Sequence, residues 1–289
     1  MDRVKLIILC GIPGSGKTAY GQKWVEENSG LHLSSDAIRK ELYGDESTQG
    51  NPHEVFSLMQ KRAIEALNNG SNVVYDATNI TRKDRSGIIA ACPKFVKIEC
   101  HIIWTSIETC IERDKERGRT VGQDVIDKML KRFQPPYYDE GIDDIRVIVP
   151  EKFNYDKYMA EIVTNLKIPH DNPHHSTGVA EHCIEAYEYS LTKLNCSDDV
   201  KAAAWLHDIG KPYTKAFIDS NGNECEDAHY YSHHNVGSWM AYGVCKKPYV
   251  SWLIGNHMEP FFNSKYYKNL PTYLKNDIDM LHEADVNAH

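Results

Sequence analysis

The sequence predicts a parallel α/β domain followed by an all-α domain, and three observations carry that expectation. From Val4 to Val149 short apolar runs alternate with amphipathic helical patterns. A glycine-rich run, Gly11-Ile12-Pro13-Gly14-Ser15-Gly16-Lys17-Thr18, stands between the first strand and the first helix. Beyond Lys167 the composition changes: eleven of the fourteen histidines follow position 169, in what reads as a run of helices without strand alternation. At 289 residues the chain exceeds the usual single domain, and each half is long enough to bury its own core. The expected boundaries are 1–152 for the α/β domain, 153–168 for a charged helical connector and 169–289 for the helical domain.

Taken in order, Val4 to Leu9 is the first strand, and the run after it is a P-loop. Backbone N–H groups around Gly11, Pro13, Gly14, Ser15 and Gly16 and the helix N-terminus converge on a nucleotide's phosphates. Lys17 reaches the β- and γ-phosphates, and the Thr18 hydroxyl takes a Mg²⁺ site, so ATP with Mg²⁺ is the expected ligand. A helix over Lys17 to Glu27 follows, then the strand Leu31-His32-Leu33, which ends in Ser34, Ser35 and Asp36. Asp36 has two readings. It caps the next helix, Ala37 to Tyr43, or, at the carboxyl end of a parallel strand, it takes a proton from an attacking hydroxyl. Arg39, one turn on, lies on the same side and would bind an acceptor phosphate.

His53 to Asn69 reads as an amphipathic helix ending at Gly70, and Asn72 to Asp76 as a buried strand whose carboxyl end carries Thr78 and Asn79 toward the cleft. Thr81 to Ala91 is a helix bearing Arg82 and Arg85, and Phe95 to Trp104 another strand. Ser106 caps a helix over Ile107 to Arg117, which Gly118 stops before a further helix over Val121 to Phe133. This helix-bend-helix, with Arg113, Lys115, Arg117 and Arg119, reads as a lid. Ile145 to Val149 is the last strand, stopped by Pro150.

Val4 to Val149 resembles the 5′-kinase domain of phage polynucleotide kinases and their P-loop relatives. The likeness rests on Gly11 to Thr18, on Ser35-Asp36-Ala37-Ile38-Arg39, on Asp76-Ala77-Thr78-Asn79, and on Arg113 with Arg117 before Gly118. It implies that Arg113 and Arg117 grip the donor phosphates with Lys17, that Asp36 is the general base, and that Arg39, with Thr78, Asn79 and Arg85, faces the acceptor. Ser35 stands before Asp36 where the phage enzymes have a basic residue, and kinases of small metabolites share most of the pattern.

In the second half His207-Asp208 closes an apolar helix (Val200, Ala203, Ala204, Trp205, Leu206) and precedes Ile209-Gly210-Lys211. With His182 on an earlier helix, His233 and His257 on later ones and Asp285 near the end, the order resembles the HD phosphohydrolase superfamily, from about His170 to His289. That resemblance implies that His182, His207, Asp208 and Asp285 hold one divalent metal. His233 and His257 match the extra ligands of two-metal members, with Asp208 bridging; His234, beside His233, fits the same place. The site would hold one or two ions of Mg, Mn, Ni, Co, Fe or Zn. His174 and His175 read as phosphate contacts at the pocket rim, and Lys211 either steadies a phosphate or is solvated. His229 and His282 read as ordinary core or surface residues. Asp285 lies four residues from the end, where fraying is expected.

A formal charge of −8 argues against a broad nonspecific nucleic-acid surface, although an active site reading one or two phosphates needs only a local basic cluster. The eight cysteines lack CxxC spacing and read as reduced thiols. No apolar run approaches a membrane span and the first strand begins at once, so a cytoplasmic protein with no membrane partner is expected. Together the two resemblances imply healing of nucleic-acid ends, RNA favoured: ATP-dependent phosphorylation of a 5′-OH, and removal of a 3′-phosphate or a 2′,3′-cyclic phosphate. A separate ligase would act next. The alternatives are a nucleoside kinase fused to a nucleotide phosphohydrolase, and a nucleotide-sensing module whose HD domain only binds.

Overall fold

Five runs of the first half, β1 (Lys5–Cys10), β2 (Leu31–Ser34), β3 (Val73–Asp76), β4 (Lys97–Ile103) and β5 (Asp144–Ile148), pair into one parallel sheet of order β2-β3-β1-β4-β5. The computed structural model describes residues 3–118, 120–172 and 177–288. Leu6 to Cys10 of β1 are wholly buried, as befits a strand covered on both faces, which reads as a continuous apolar run. Lying between β3 and β4, β1 delivers its following loop to the carboxyl edge of the sheet, where such folds bind ligands.

The crossovers are α1 (Lys17–Asn28), α2 (Ser35–Tyr43), α3 (Pro52–Asn68), α4 (Arg82–Ala91), α5 (Ile107–Glu116) and α6 (Gln123–Leu130). Their starts follow local chemistry. Asn51 accepts from the His53 N–H with Pro52 in the first turn, Thr81 and Asp84 form a reciprocal capping box, and Ser106 caps α5 through the Thr109 N–H. Helix α2 begins earlier than its pattern suggests, with Ser34 at the cap position, so Asp36 lies inside the first turn and is not the cap.

The chain divides into two compact units, Met1–Met129 with Pro136–Glu151 and Leu130–Pro135 with Lys152–His289. The second contains α7 (Tyr155–Asn165), α8 (Val179–Thr192), α9 (Asp198–Leu206), α10 (Lys211–Thr214), the strands β6 (Ala216–Ile218) and β7 (Glu224–His229), then α11 (His233–Cys245), α12 (Pro248–Asn256), α13 (Glu259–Phe262), α14 (Lys265–Lys268) and α15 (Thr272–Val286). Helix α11 is apolar nearly all round and is the buried centre, with Trp239 and Tyr242 wholly covered. Phe133 meets Trp239 edge-on at 5.3 Å, and the Tyr158 hydroxyl donates to the Met240 carbonyl at 3.1 Å. The stretch expected as a connector therefore packs as a helix of this unit.

The unit is helical as expected, with one addition: β6 and β7 form a short antiparallel ribbon around the turn at Asp219, whose carboxylate accepts from the Asn221 and Asn223 N–H groups. Among the described residues no helix is long and apolar enough to cross a membrane.

Candidate functional site

The P-loop lies at the mouth of a cleft of about 630 Å³. Gly14 has φ 82°, and a Cβ there would lie 2.3 Å from the Cys110 carbonyl oxygen, so only glycine lets the loop run this close to α5. The loop is braced on both sides: the Gly11 N–H donates to the Thr78 carbonyl at 3.0 Å, and the Thr105 hydroxyl donates to the Ser15 carbonyl at 3.1 Å. Lys17 Nζ donates back to the Ile12 carbonyl at 2.9 Å, across the cradle a phosphate would fill. Burial pulls its pKa below the usual lysine value, against the opposing charge of Asp76. Arg113 Nη1 donates to the Gly14 carbonyl at 3.3 Å, and Arg117 lines the same cleft. The buried Asp114 carboxylate accepts from the Val121 and Gly122 N–H groups, which ties the bend after α5. Arg119, the other arginine expected here, lies outside the described residues.

On the acceptor side Arg39 Nη1 donates to Asp36 Oδ1 at 2.7 Å and lies 3.4 Å from the Ser35 hydroxyl. Asp36, Arg39 and Thr78 line the cleft with Lys17 and Thr18. Two expected substrate contacts are corrected by their surroundings. The buried Asn79 amide donates to the Leu9 carbonyl at 2.7 Å, and the residue sits at φ 47°, so it ties β1 to the turn after β3 and does not face substrate. Arg85 is wholly buried and bidentate to Glu140, with both contacts at 2.7 Å, and it also donates to the Asn79 carbonyl. Removing it strands a buried carboxylate. Arg85→Ala is expected to cost about 3–5 kcal/mol of stability in denaturant unfolding. Were Arg85 a substrate contact, the variant would keep its unfolding midpoint and lose only acceptor affinity.

The residue to which the sequence reading gave no role of its own, though it stands in a segment that carries the kinase likeness, is Asp76. Its Oδ2 accepts from the Thr18 hydroxyl at 2.8 Å and lies 3.1 Å from His32 Nε2, at the carboxyl end of the strand next to β1. This is the place from which a carboxylate steadies a metal beside the P-loop hydroxyl. The available signal was the strand Val73-Val74-Tyr75-Asp76 ending in an acid.

In the helical unit two three-residue groups of ligand type meet: His182, His207 and Asp285, and Asp208, His233 and His257. His182 Nε2 is 3.2 Å from His207 Nε2 and 3.0 Å from Asp285 Oδ1, and His207 Nε2 is 3.3 Å from Asp285 Oδ1. In the second group His233 Nε2 is 3.2 Å from His257 Nε2 and 3.3 Å from Asp208 Oδ1. The other Asp208 oxygen, Oδ2, is 3.3 Å from His207 Nε2 and 3.6 Å from His182 Nε2, so one carboxylate faces both groups. Ligands about 2.1 Å from a divalent ion lie about 3.0–3.4 Å from one another, which is the spacing seen.

The imidazole tautomers agree. Nδ1 of His207, His233 and His257 lies 2.7, 2.8 and 2.8 Å from the carbonyls of Ala204, Tyr230 and Ile254. A carbonyl only accepts, so each Nδ1 carries hydrogen and Nε2 is the nitrogen turned to the centre, able to ligate once it is unprotonated. Of the two adjacent histidines at the start of α11, His233 is the one whose ring nitrogen lies with Asp208 and His257. Asp285 lies within α15, largely covered, and is not frayed. The register depends on Gly210, where a Cβ would lie 2.1 Å from the His233 carbonyl oxygen; the bare backbone lets the His207-Asp208 turn approach α11.

Lys211 is buried beside the groups, its Nζ 2.6 Å from Asp208 Oδ2 and 3.1 Å from His170 Nε2. It is therefore not solvated. His170, unassigned from the sequence, is fixed by Nδ1 at 2.8 Å from the Thr177 carbonyl, and burial and the Lys211 charge lower its pKa to about 4. His174 and His175 lie outside the described residues.

Charges in this centre are unevenly held. Burial pulls the His207 pKa down, but Asp208 and Asp285 outweigh it and leave the value well above the usual one. Burial pulls His233 down and His257 well below its usual value. Metal uptake needs a bare nitrogen on His207, whose proton persists well above the ordinary histidine value of about 6.5. Affinity should thus fall as pH drops through the raised His207 value, with proton release from the His207 group on metal uptake, while His233 and His257 stay neutral. Calorimetric titration of Mn²⁺ into metal-stripped protein, in two buffers of different ionisation enthalpy, measures this; uptake that is flat with pH would contradict it.

Two family models match the chain, an AAA domain over residues 6–136 and an HD domain over residues 174–283. Among solved structures, the chain is similar to a chain of the Pnkp1/Rnl/Hen1 RNA repair complex at 22% identity and TM-score 0.42, covering 46% of this chain and 44% of that one. It is similar to a gluconokinase from Sinorhizobium meliloti 1021 at 17% identity and TM-score 0.39, covering 53% of this chain and 86% of that one. A fungal RNA kinase is similar at 14% identity and TM-score 0.38, over 71% of this chain and 49% of that one. The chain spans less than half the length of the Pnkp1-complex chains that it matches.

Proposed function

We propose that this chain, an enzyme joining a kinase-type P-loop domain of the AAA family to an HD domain, heals nucleic-acid ends, adding phosphate to a 5′-OH in one domain and clearing a 3′-phosphate or 2′,3′-cyclic phosphate in the other. The observation that carries the reading is the pairing of machineries: a cleft with donor-side Lys17 and acceptor-side Asp36, and a buried centre in which Asp208 faces two groups of metal-ligand type. RNA is the favoured substrate, and a separate ligase would join the healed ends.

In the kinase cleft the P-loop amides and Lys17 would hold the donor phosphates of ATP, and Thr18 with Asp76 would hold its Mg²⁺. Arg113 and Arg117 neutralise charge that grows on the transferred group. Arg39 orients Asp36 and offers a cation to the phosphate next to the acceptor hydroxyl, whose proton Asp36 takes. Asp36→Asn is expected to lower kcat by about 10²-fold with little change in the KM for ATP. An unchanged kcat would leave Asp36 only as Arg39's partner.

In the HD centre His182, His207, Asp208 and Asp285 would hold one ion, and Asp208, His233 and His257 a second. A divalent pair supplies Lewis acidity for phosphoryl hydrolysis. Asp208 spans the two groups, and the backbone carbonyls behind His207, His233 and His257 fix the rings that ligate. Lys211, held by His170, adds a cation beside Asp208 for a phosphate oxygen. The test is transfer of labelled γ-phosphate from ATP to 5′-OH oligonucleotides and to nucleosides, alongside phosphate release from 3′-phosphate and 2′,3′-cyclic-phosphate RNA ends. Transfer to nucleosides alone would replace this reading with that of a metabolite kinase.

A further inference from the structure

The cavity above the metal-ligand groups has two unlike ends. Its floor is charged, with Asp208, Asp285, Lys211, His233 and His257, and its volume is about 640 Å³. The rim is aromatic and apolar: Tyr230, Tyr231, Met258, Phe261 and Phe262. Phe261 is 55% exposed, Phe262 60% and Tyr231 45%, and the three rings line one cavity mouth. Exposed aromatic rings gathered at one cavity mouth lose favourable burial unless something covers them.

The rim is tied to the floor by a relay of rings. His257 and His234 have centroids 6.2 Å apart, and His234 and Phe262 6.1 Å. Phe261 is held edge-on by His282 at 4.4 Å. A ligand anchored by an anionic group on the floor thus meets flat apolar faces at the mouth of the same cavity, and a nucleotide carries both parts, a phosphate and a flat ring. A lipid tail would cover the rim but has no flat face to set against Phe262, and an inorganic phosphate would leave the rim bare.

We propose that Phe262, supported by Phe261 and Tyr231, is a stacking subsite for the nucleobase of the terminal nucleotide whose phosphate is cleared in the HD centre. The inference rests on the phosphohydrolase reading of that centre and adds its substrate class: an end carrying a base, with selection by the ring face and not by the base edge. Stacking is tolerant of base identity, because every base has a π-face.

The test uses the full chain loaded with Mn²⁺ and two 3′-phosphate oligonucleotides, one with a terminal base and one abasic at the last sugar. Wild type is expected to prefer the base-bearing end by about tenfold in KM, within the range for one stacked base, and Phe262→Ala to collapse that preference while Phe262→Trp retains it. Equal KM for both ends in wild type, or a preference undiminished in Phe262→Ala, overturns the subsite. Equilibrium binding of a nucleoside 3′-monophosphate against ribose 3-phosphate, by calorimetry, is measured in parallel. If wild type binds the nucleotide about tenfold more tightly and Phe262→Ala does not, the subsite stands even without turnover, and only the hydrolase reading falls. Sedimentation of both proteins covers the remaining occupant: a wild-type dimer that Phe262→Ala converts to monomer, with the nucleotide preference intact, would assign the rim to a second copy and overturn the proposal.

Discussion

Asp208→Ala is expected to lose bound metal and phosphate release together. One carboxylate faces both ligand groups, 3.3 Å from His207 Nε2 through one oxygen and 3.3 Å from His233 Nε2 through the other, so its removal opens both at once. It also leaves Lys211 without its 2.6 Å partner, a cation where an ion should bind. Changing groups one step beyond a metal's ligands already costs about 10- to 100-fold, so loss of the shared ligand should cost more than about 10³-fold. Elemental analysis of the purified variant beside a phosphate-release assay measures both. His233→Ala separates the two groups: a paired centre should lose about half its metal and most of its activity, whereas a single ion at His182, His207, Asp208 and Asp285 would barely notice.

Lys17→Ala is expected to remove phosphoryl transfer by about 10³-fold or more while phosphate release from 3′ ends persists. Lys17 lines the cleft at the phosphate cradle, and its ammonium donates to the P-loop's own Ile12 carbonyl at 2.9 Å. Its burial-lowered pKa means that bound phosphate should raise its affinity for the proton, so an alanine there removes charge that water cannot replace. Rates of ³²P transfer to a 5′-OH oligonucleotide decide it. Transfer within tenfold of wild type would remove Lys17 from the donor side.

What was legible in the sequence was what local chemistry specifies. The Gly14 conformation, the strand before it and the helix after it lie within a few residues, so the P-loop could be placed from its pattern. Pairings between distant segments could not. Asp76 meets Thr18 only because β3 lies beside β1, and Arg85 meets Glu140 across 55 positions of sequence, which turns an expected substrate contact into a buried ion pair. Asn79 has the polarity of a cleft residue, but its positive φ and its bond to Leu9 are consequences of where β1 ends. The choice between His233 and His234 needed the start of α11 and the Tyr230 carbonyl behind one ring. The ribbon of β6 and β7 is too short and too polar at Glu224, Glu226 and Asp227 to show an alternation.

The measurement closest to the central claim is one RNA strand bearing a 5′-OH and a 2′,3′-cyclic phosphate, incubated with ATP and a divalent metal and followed at both ends. Wild type is predicted to yield a 5′-phosphate and a cleared 3′ end, Lys17→Ala only the cleared 3′ end, and Asp208→Ala only the 5′-phosphate. Loss of both activities in either variant while both proteins remain folded, or an untouched 3′ end with wild type at every metal tried, would contradict two separate phosphate chemistries on this chain.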